Sequence, residues 1–464
     1  MIPLLTADEM RAAEHQAIEG WGVPSLILQE HAALGALGLL PPGEPLCVLA
    51  GPGNNGGDAL ALARLARLQG REVAVWTPFA QLEWRGDAAF QARLWKGLGG
   101  EIHTGPDPME LMRTWRGWVV DGLFGLGTTR ALDGPAAEWV RALNASGLPV
   151  LALDLPSGLD PSLAEVPGEA VRATRTACFG ARKVCHGLLP ARECCGEVTV
   201  VPIPLDRAPG ARMHLLERPT LPPRAWNAHK GSFGHVAIRA GSLGMSGAAV
   251  LAALGALRVG AGLVTVLAEP DVRAEIAAQV PEAMVQPWRG VVPAEADVLL
   301  VGPGGIAQVP EWEGPLVVDA SALKEGEGKR WMERPGTAIT PHPGEFARLF
   351  RLSRPLLMDE RLAQARQVAT GKPGVLILKG AQSVIAGGAL DDLWINPTGH
   401  PGLATGGSGD LLAGMVAGFR AQGLPMREAA AAAAWFHGAA ADRLPGAGLL
   451  PRDLADLLPE LLRG

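Results

Sequence analysis

Five consecutive apolar residues, Leu46 to Ala50, run straight into Gly51-Pro-Gly53-Asn-Asn-Gly56-Gly57-Asp58, and a helical stretch follows from Ala59 to Gln69. A short continuous apolar run that turns through glycine into a helix is the opening of a βαβ unit, which leaves few architectures open. Gly70 stops the helix and Glu72 to Trp76 reads as the next strand. Further strands read at Trp118 to Asp121 and Pro149 to Asp154, so a mostly parallel sheet covered on both faces is expected. Ahead of it, Thr6-x-x-Glu9 is a capping box that predicts a helix with Met10, Ala13, Ala17 and Ile18 on one face.

From Pro202 to Trp226 the chain is rich in proline and loses periodicity, which marks a linker. The strand pattern then restarts at His235 to Ala240, Leu263 to Leu267, Val298 to Val301, Leu316 to Asp319 and Val375 to Lys379, with a small-residue helix from Ser246 to Val259. At roughly 150 residues per domain, 464 residues make two α/β domains a natural count. The expected division is 1–207, a Rossmann-like three-layer domain, 208–224, the linker, and 225–464, a second α/β domain.

Composition excludes several classes. Forty-one basic against 47 acidic residues give a net charge of −6, without the basic excess that a nucleic-acid binder needs. Tyrosine is absent, which removes every mechanism built on a phenol. No stretch approaches the ~18 to 20 apolar residues of a membrane span, and the start MIPLLTADEMRAAEH turns charged too soon for a signal peptide. Five cysteines, with no C-x-x-C, point to a reducing cytoplasm. Cys178, Cys185, Cys194 and Cys195 cluster with His186, but zinc-ribbon spacing is missing and small apolar core residues are the plainer reading.

The 51–58 segment formally satisfies G-x-G-x-x-G and suggests backbone amides aimed at a phosphate, although alone it also fits a glycine turn packed between strand and helix. The second strand ends Trp76-Thr77, without the acidic residue of a dinucleotide ribose clamp. Asn54, Asn55 and Asp58 add polar oxygens that a turn does not require. Val120-Asp121-Gly-Leu-Phe-Gly125-Leu-Gly127 and Asp154-Leu-Pro-Ser157-Gly158 bring similar groups to other strand ends, where open α/β sheets form clefts.

GPGNNGGD, VDGLFGLG and DLPSG, in this order, resemble the NAD(P)H-hydrate epimerase domain of the YjeF N-terminal family over roughly residues 1 to 207. The resemblance implies that Asn55, Asp121 and Ser157 are ligands of a potassium ion. It also implies a hydrated-nicotinamide nucleotide site at Asn54, Asn55, Gly56, Gly57, Asp58, Gly125, Leu126, Gly127, Thr128, Thr129, Arg130, Ala131 and Asp154. Asp154 is the natural acid/base for inverting a hydroxyl-bearing carbon beside a ring nitrogen. Lys183, in FGARK, matches a lysine usual in the family. Ala59 stands where the family usually has Gly, and Gln29-Glu30-His31-Ala32-Ala33 replaces its Met-Glu-Asn-Ala-Gly.

In the second half, Thr405-Gly-Gly-Ser408-Gly409-Asp410 precedes an apolar helix, so free amides, the helix dipole and a carboxylate meet at one spot. Such amides suit phosphoryl transfer, with Asp410 able to accept the proton of an attacking hydroxyl. With HKGSFGH, AGSLGMSGAA, GPGG, PHPGE and LKGAQS, GGSGD resembles the ADP-dependent NAD(P)H-hydrate dehydratases, a ribokinase-like family, from about 225 to the C-terminus. By position, the resemblance implies substrate contacts at Ala248, Gly304, His342 and Asp410, and an adenine-nucleotide site at Lys379, Gly380, Ala381, Gln382, Ser383 and Gly409. His400 replaces a common Asn and Ser408 a common Thr.

The two resemblances together imply a bifunctional repair enzyme for hydrated NADH and NADPH, with K+ in the epimerase site and ADP with Mg2+ in the dehydratase site. The expected partners are small molecules, with neither nucleic acid nor membrane, in a homo-oligomer. A small-molecule kinase is the alternative that GGSGD alone would also serve, and PHPGE argues against it. A non-enzymatic binding module is the alternative for the first domain, disfavoured by Asp121, Asp154 and Ser157.

Overall fold

The computed structural model describes residues 1–463 except 81, 106, 207–209, 355 and 445. It divides into two compact units, one of Pro3–Met213 and one of His214–Gly464 with Met1–Ile2. The expected domain end at 207 and the first two linker positions lie outside the described residues. Within the proline-rich stretch, Met213–Leu215 is a short strand.

In the first unit the parallel strands lie in the order Ile102–Thr104, Val73–Thr77, Leu46–Ala50, Trp118–Gly122, Val150–Leu153, Arg175–Phe179 and Glu197–Val201. Leu46, Val48 and Ala50 pack into one core with Ala33 and Leu60, while Cys47 and Leu49 pack on the other face with Trp139 and Leu143. Burial on both faces is why this strand is an unbroken apolar run rather than an alternating one. The chain steps outward from Leu46–Ala50 to the edge, then returns to place Trp118–Gly122 on its other side. That reversal opens a crevice at the carboxyl ends of these two strands.

The capping box at Thr6 is present in both directions and opens helix Ala7–His15. Met10 and Ala13 are buried there and Ala17 in the wider π-helical turn Gln16–Gly20 that follows, whereas Ile18 of that turn faces a cavity. The glycine-rich segment differs from its expected loop. Gly53 is the N-cap and the helix begins at Asn54, so Asn54 to Asp58 form its first turns. The glycines are demanded by approach distance: a Cβ at Gly56 would lie 2.0 Å from the Gly51 carbonyl oxygen. Ala59, in place of the family's Gly, is accommodated because the residue facing it is Gly122.

In the second unit Met284–Pro287, Leu263–Ala268, His235–Arg239, Val298–Val301, Leu316–Val318, Thr337–Ile339 and Val375–Leu378 run parallel, followed by antiparallel Val384–Gly387 and Leu393–Ile395. The strand order again reverses, here between His235–Arg239 and Val298–Val301. Among the described residues no helix is long and apolar enough to cross a membrane; Ser246–Arg258 is instead a core helix packed on Ser408–Ala421. These two helices meet through small residues, with a Cβ at Gly414 falling 2.0 Å from the Ala252 carbonyl oxygen. Replacement of Gly414 by Ala forces the helices apart, and denaturant unfolding of Gly414→Ala is expected to show a loss of about 1–3 kcal/mol from the second unit. An unchanged midpoint would mean the helix pair is not closely packed.

Candidate functional site

A cavity of about 560 Å3 occupies the crevice of the first unit. Its wall takes Asn54, Asn55 and Asp58 from the start of helix Asn54–Leu68, Gly125 to Thr128 from the loop after Trp118–Gly122, and Asp154 from the end of Val150–Leu153. The three strand ends that carry the sequence motifs thus meet at one place. Thr129, Arg130 and Ala131 are exposed further along the same loop, and Gly56 and Gly57 are buried under the helix start.

Asp121 is fully buried and accepts from Ser157 Oγ at 2.7 Å, Ser157 N at 2.8 Å and Leu123 N at 3.2 Å. Burial pushes its carboxyl up, and the hydrogen bonds from Ser157 and Leu123 pull it back. Among the described residues no Lys or Arg pairs with it. Ser157 Oγ in turn accepts from Phe124 N at 2.9 Å, and Asn55 Nδ2 donates to Phe124 O at 2.7 Å and Leu153 O at 3.1 Å. Asn55 Oδ1 is buried without a partner. A buried carboxylate with no counter-charge beside an orphaned amide oxygen is a donor set suited to a hard cation.

Asp154 has φ +62°, a left-handed backbone that a non-glycine residue adopts only when its surroundings impose it. What imposes it is visible: Asp154 N donates to Ala177 O at 2.8 Å, and its carboxylate accepts from Phe179 N at 3.1 Å and from Lys183 Nζ. Lys183 is completely buried and also donates to Phe179 O at 2.9 Å. Burial works against its charge, but the Asp154 carboxylate together with Cys178 and Glu14 holds the ammonium above its ordinary range. His186, whose Nδ1 accepts from Lys183 N at 3.0 Å, is held well below its usual pKa by burial and by Lys183. The four clustered cysteines are free and buried, and among the described residues no group of three or more His, Cys, Asp or Glu side chains is arranged for a metal ion.

Three further carboxyls, Asp58, Glu14 and Asp87, face this cavity. Asp58 is raised well above its usual value by burial and by Asp154 and Glu14. Glu14, on helix Ala7–His15, is raised to about 7 by burial and Asp154, with Lys183 and Arg11 opposing. Sequence reading missed Glu14, because nothing in MRAAEHQ separates it from the other charges of a surface helix.

In the second unit the reversal of strand order brings two of the expected contacts close together. Ser242 Oγ donates to Gly304 O at 2.7 Å, and Ala248 lies in the first turn of the helix that follows Ser242. Gly407, the left-handed N-cap of helix Ser408–Ala421, abuts Leu251 one turn further along. Asp410, in the first turn of that helix, is raised to about 7 by burial and Asp319, partly offset by Lys379.

Lys379 Nζ donates to Asp319 at 3.0 Å, lies 4.0 Å from Glu345 and sits beside Gly409. Burial would depress it, but Asp319, Glu345 and Asp410 hold the ammonium above its ordinary range. Gly380, Ala381, Gln382 and Ser383 form the turn between Val375–Leu378 and Val384–Gly387, with Arg361 donating to Lys379 O at 3.1 Å. His342 is the N-cap of Pro343–Leu349, its Nδ1 accepting from Gly344 N at 3.0 Å, while His342 N donates to Glu345 at 2.8 Å. His400 caps Pro401–Leu403 by accepting from Gly402 N at 3.1 Å, a bond an Asn side chain can also make. Asp319 and Glu345 were missed, although Asp319 ends an apolar strand just as Asp121 and Asp154 do.

Two family models match the chain: NAD(P)H-hydrate dehydratase over residues 236–460, and YjeF-related protein N-terminus over residues 26–185. The bifunctional NAD(P)H-hydrate repair enzyme Nnr of Moorella thermoacetica is 33% identical, covering 99% of this chain and 96% of its own. That of Coxiella burnetii is 36% identical, covering 98% and 97%. The crystal structure of the ADP/ATP-dependent NAD(P)H-hydrate dehydratase from Bacillus subtilis, co-crystallised with ATP and Mg2+, is 32% identical over 53% of this chain and 94% of that one, with a TM-score of 0.46.

Breaking a buried ion pair leaves one charge uncompensated, so Lys183→Met is expected to destabilise the first unit by about 3–5 kcal/mol, read as a lowered denaturation midpoint. Loss of under 1 kcal/mol would mean that Asp154 is not held by Lys183.

Proposed function

Because the chain belongs to the family of bifunctional NAD(P)H-hydrate repair enzymes, we propose that its first unit interconverts the R and S hydrates at Asp154 and its second dehydrates the S hydrate at Asp410. The observation that carries this reading is a carboxyl at the carboxyl edge of the sheet or at a helix start in each unit, Asp154 and Asp410, inside a chain matched end to end by repair enzymes. Hydration of the nicotinamide ring creates two epimers, and a stereospecific dehydratase restores only one. An epimerase on the same chain makes both recoverable.

In the second unit, the hydroxyl of the S hydrate attacks the terminal phosphoryl group of ADP as Asp410 takes its proton, and the phosphoanhydride bond breaks with AMP as the leaving group. The ring nitrogen lone pair then expels phosphate, and loss of a ring proton regenerates NAD(P)H. The amides at the start of helix Ser408–Ala421 and the Lys379 ammonium favour the negative charge of the transferring group. Ala248, Gly304 and His342 are proposed to contact the hydrate, and Lys379 to Ser383 with Gly409 the nucleotide. Mg2+ enters with the nucleotide phosphates, as this ion commonly does.

In the first unit, Asn55, Asp121 and Ser157 are proposed to hold K+, supported by the orphaned Asn55 Oδ1 and the unpaired Asp121 charge. The ion would supply positive charge next to the hydrate's phosphates. Asn54 to Asp58 and Gly125 to Ala131 are proposed to bind the nucleotide, with Gly56 and Gly57 letting the helix start pack closely on Gly51 and Ala88. The five free thiols accord with a cytoplasmic setting, and a homo-oligomer is part of the same proposal.

Purified protein given mixed hydrates of NADH with ADP and Mg2+ is expected to restore the near-ultraviolet absorbance of the reduced nicotinamide completely, whereas Asp410→Asn loses ~10²–10⁴ of that rate. Chromatography should still show Asp410→Asn interconverting the epimers. Dehydration needs ionised Asp410, so the wild-type rate should climb as pH rises through about 7. Full repair by Asp410→Asn would sink the assignment. Replacing K+ by a bulky organic cation should slow epimerisation in the wild type, while Asp121→Ala should be slow and indifferent to K+; an equal K+ response in both would place the ion elsewhere.

A further inference from the structure

Two carboxyls on the wall of the first unit's cavity, Glu14 and Asp87, have no part in the epimerase reading, and Glu14 is the one whose charge couples to Asp154. Helix Ala7–His15 turns Arg11 and Glu14 toward the cavity, while Met10 and Ala13 face the core. Its other acids are engaged: Glu9 closes the capping box and Asp8 pairs with Arg11 at 2.7 Å. The Glu14 carboxyl makes no hydrogen bond or ion pair among the described residues, and it shares the wall with Asp154.

Resting on the epimerase reading, we propose that Glu14 is its second proton-transfer group, exchanging a proton with the ring nitrogen while Asp154 exchanges one with the hydroxyl. The hydrate is a hemiaminal, with its hydroxyl on the carbon bonded to the ring nitrogen. The hydroxyl proton passes to the Asp154 carboxylate and a C=O bond forms. The carbon–nitrogen bond breaks, its electron pair stays on nitrogen, and Glu14 protonates that nitrogen. After rotation about the adjoining carbon–carbon bond, the nitrogen re-adds to the other face of the carbonyl. The oxygen takes back a proton from Asp154, the nitrogen returns one to Glu14, and nothing is consumed.

The surroundings divide the two roles. Asp154 has the Lys183 ammonium and the Phe179 amide on its carboxylate, which suits an acceptor. Glu14 faces Asp154, Asp58 and Asp87 around the cavity, with Lys183 and its own neighbour Arg11 as the positive charges. Burial, with the Asp154 charge adding to it, keeps a proton on Glu14 up to about 7, which suits a donor.

The test follows epimer interconversion without ADP by chromatography, in the full chain, across neutral pH. The wild-type rate should fall as pH rises through about 7, because the protonated donor is lost. Glu14→Gln should slow interconversion ~10²–10⁴-fold, abolish that fall, and change KM far less than kcat. Glu14→Asp, which keeps a carboxyl, should recover part of the rate and the pH dependence. Wild-type rate in Glu14→Gln, or a slow Glu14→Gln with an unaltered pH profile, overturns the role of Glu14 and leaves the epimerase reading standing. Absence of acceleration by the wild type overturns both.

Discussion

A carboxylate placed at the end of a parallel strand is taken out of water by the layers above and below, and it must find a partner or give up its charge. Asp121 is met by the backbone and hydroxyl of Ser157, Asp154 by Lys183 and Phe179 N, and Asp319 by Thr340 Oγ1 at 2.6 Å and Lys379. Each partner comes from a different strand end or loop. Satisfying these acids therefore ties together the loops at the carboxyl edge within each sheet and positions the side chains there.

The same requirement separates compensated from uncompensated acids. Asp121 and Asp319 accept hydrogen bonds from neighbours, while Asp410 and Glu14 are desolvated without full compensation and are raised to about 7. Desolvation combined with like charge is how a carboxyl is brought into the range useful for proton transfer at neutral pH. Lys183 and Lys379 are counterweights in the two units, each held protonated by the acids around it despite burial. The left-handed backbone of Asp154 is sustained by the same contacts, a local cost borne where the carboxylate must point into the cavity.

Much of this was legible in the residues. The Leu46–Ala50 strand, the Thr6 capping box and the core helix from Ser246 follow from apolar runs, cap chemistry and small-residue patterning. So does the convergence of 54–58, 121–127 and 154–157, because parallel strands deliver their following loops to one edge. Short strands such as Ile102–Thr104 and Leu393–Ile395 were not legible, since three residues carry no period. Asn54 to Asp58 read as loop because two glycines in a row argue against helix, yet close packing under the first turn is what demanded them.

What the sequence determined by itself is which groups stand at strand ends and helix starts, because those positions are set by local patterns of burial and backbone geometry. Tertiary structure decided which of those groups touch. Glu14 meets Asp154 across about 140 residues of chain, Lys379 meets Asp319 across 60, and Asn55 Oδ1 is left without a partner only once Phe124 and Leu153 have taken its amide nitrogen. A charge reads the same in a sequence whether it faces water or another acid. Only packing sets its desolvation and its neighbours, and these decide whether it is a solvated surface group or a proton donor.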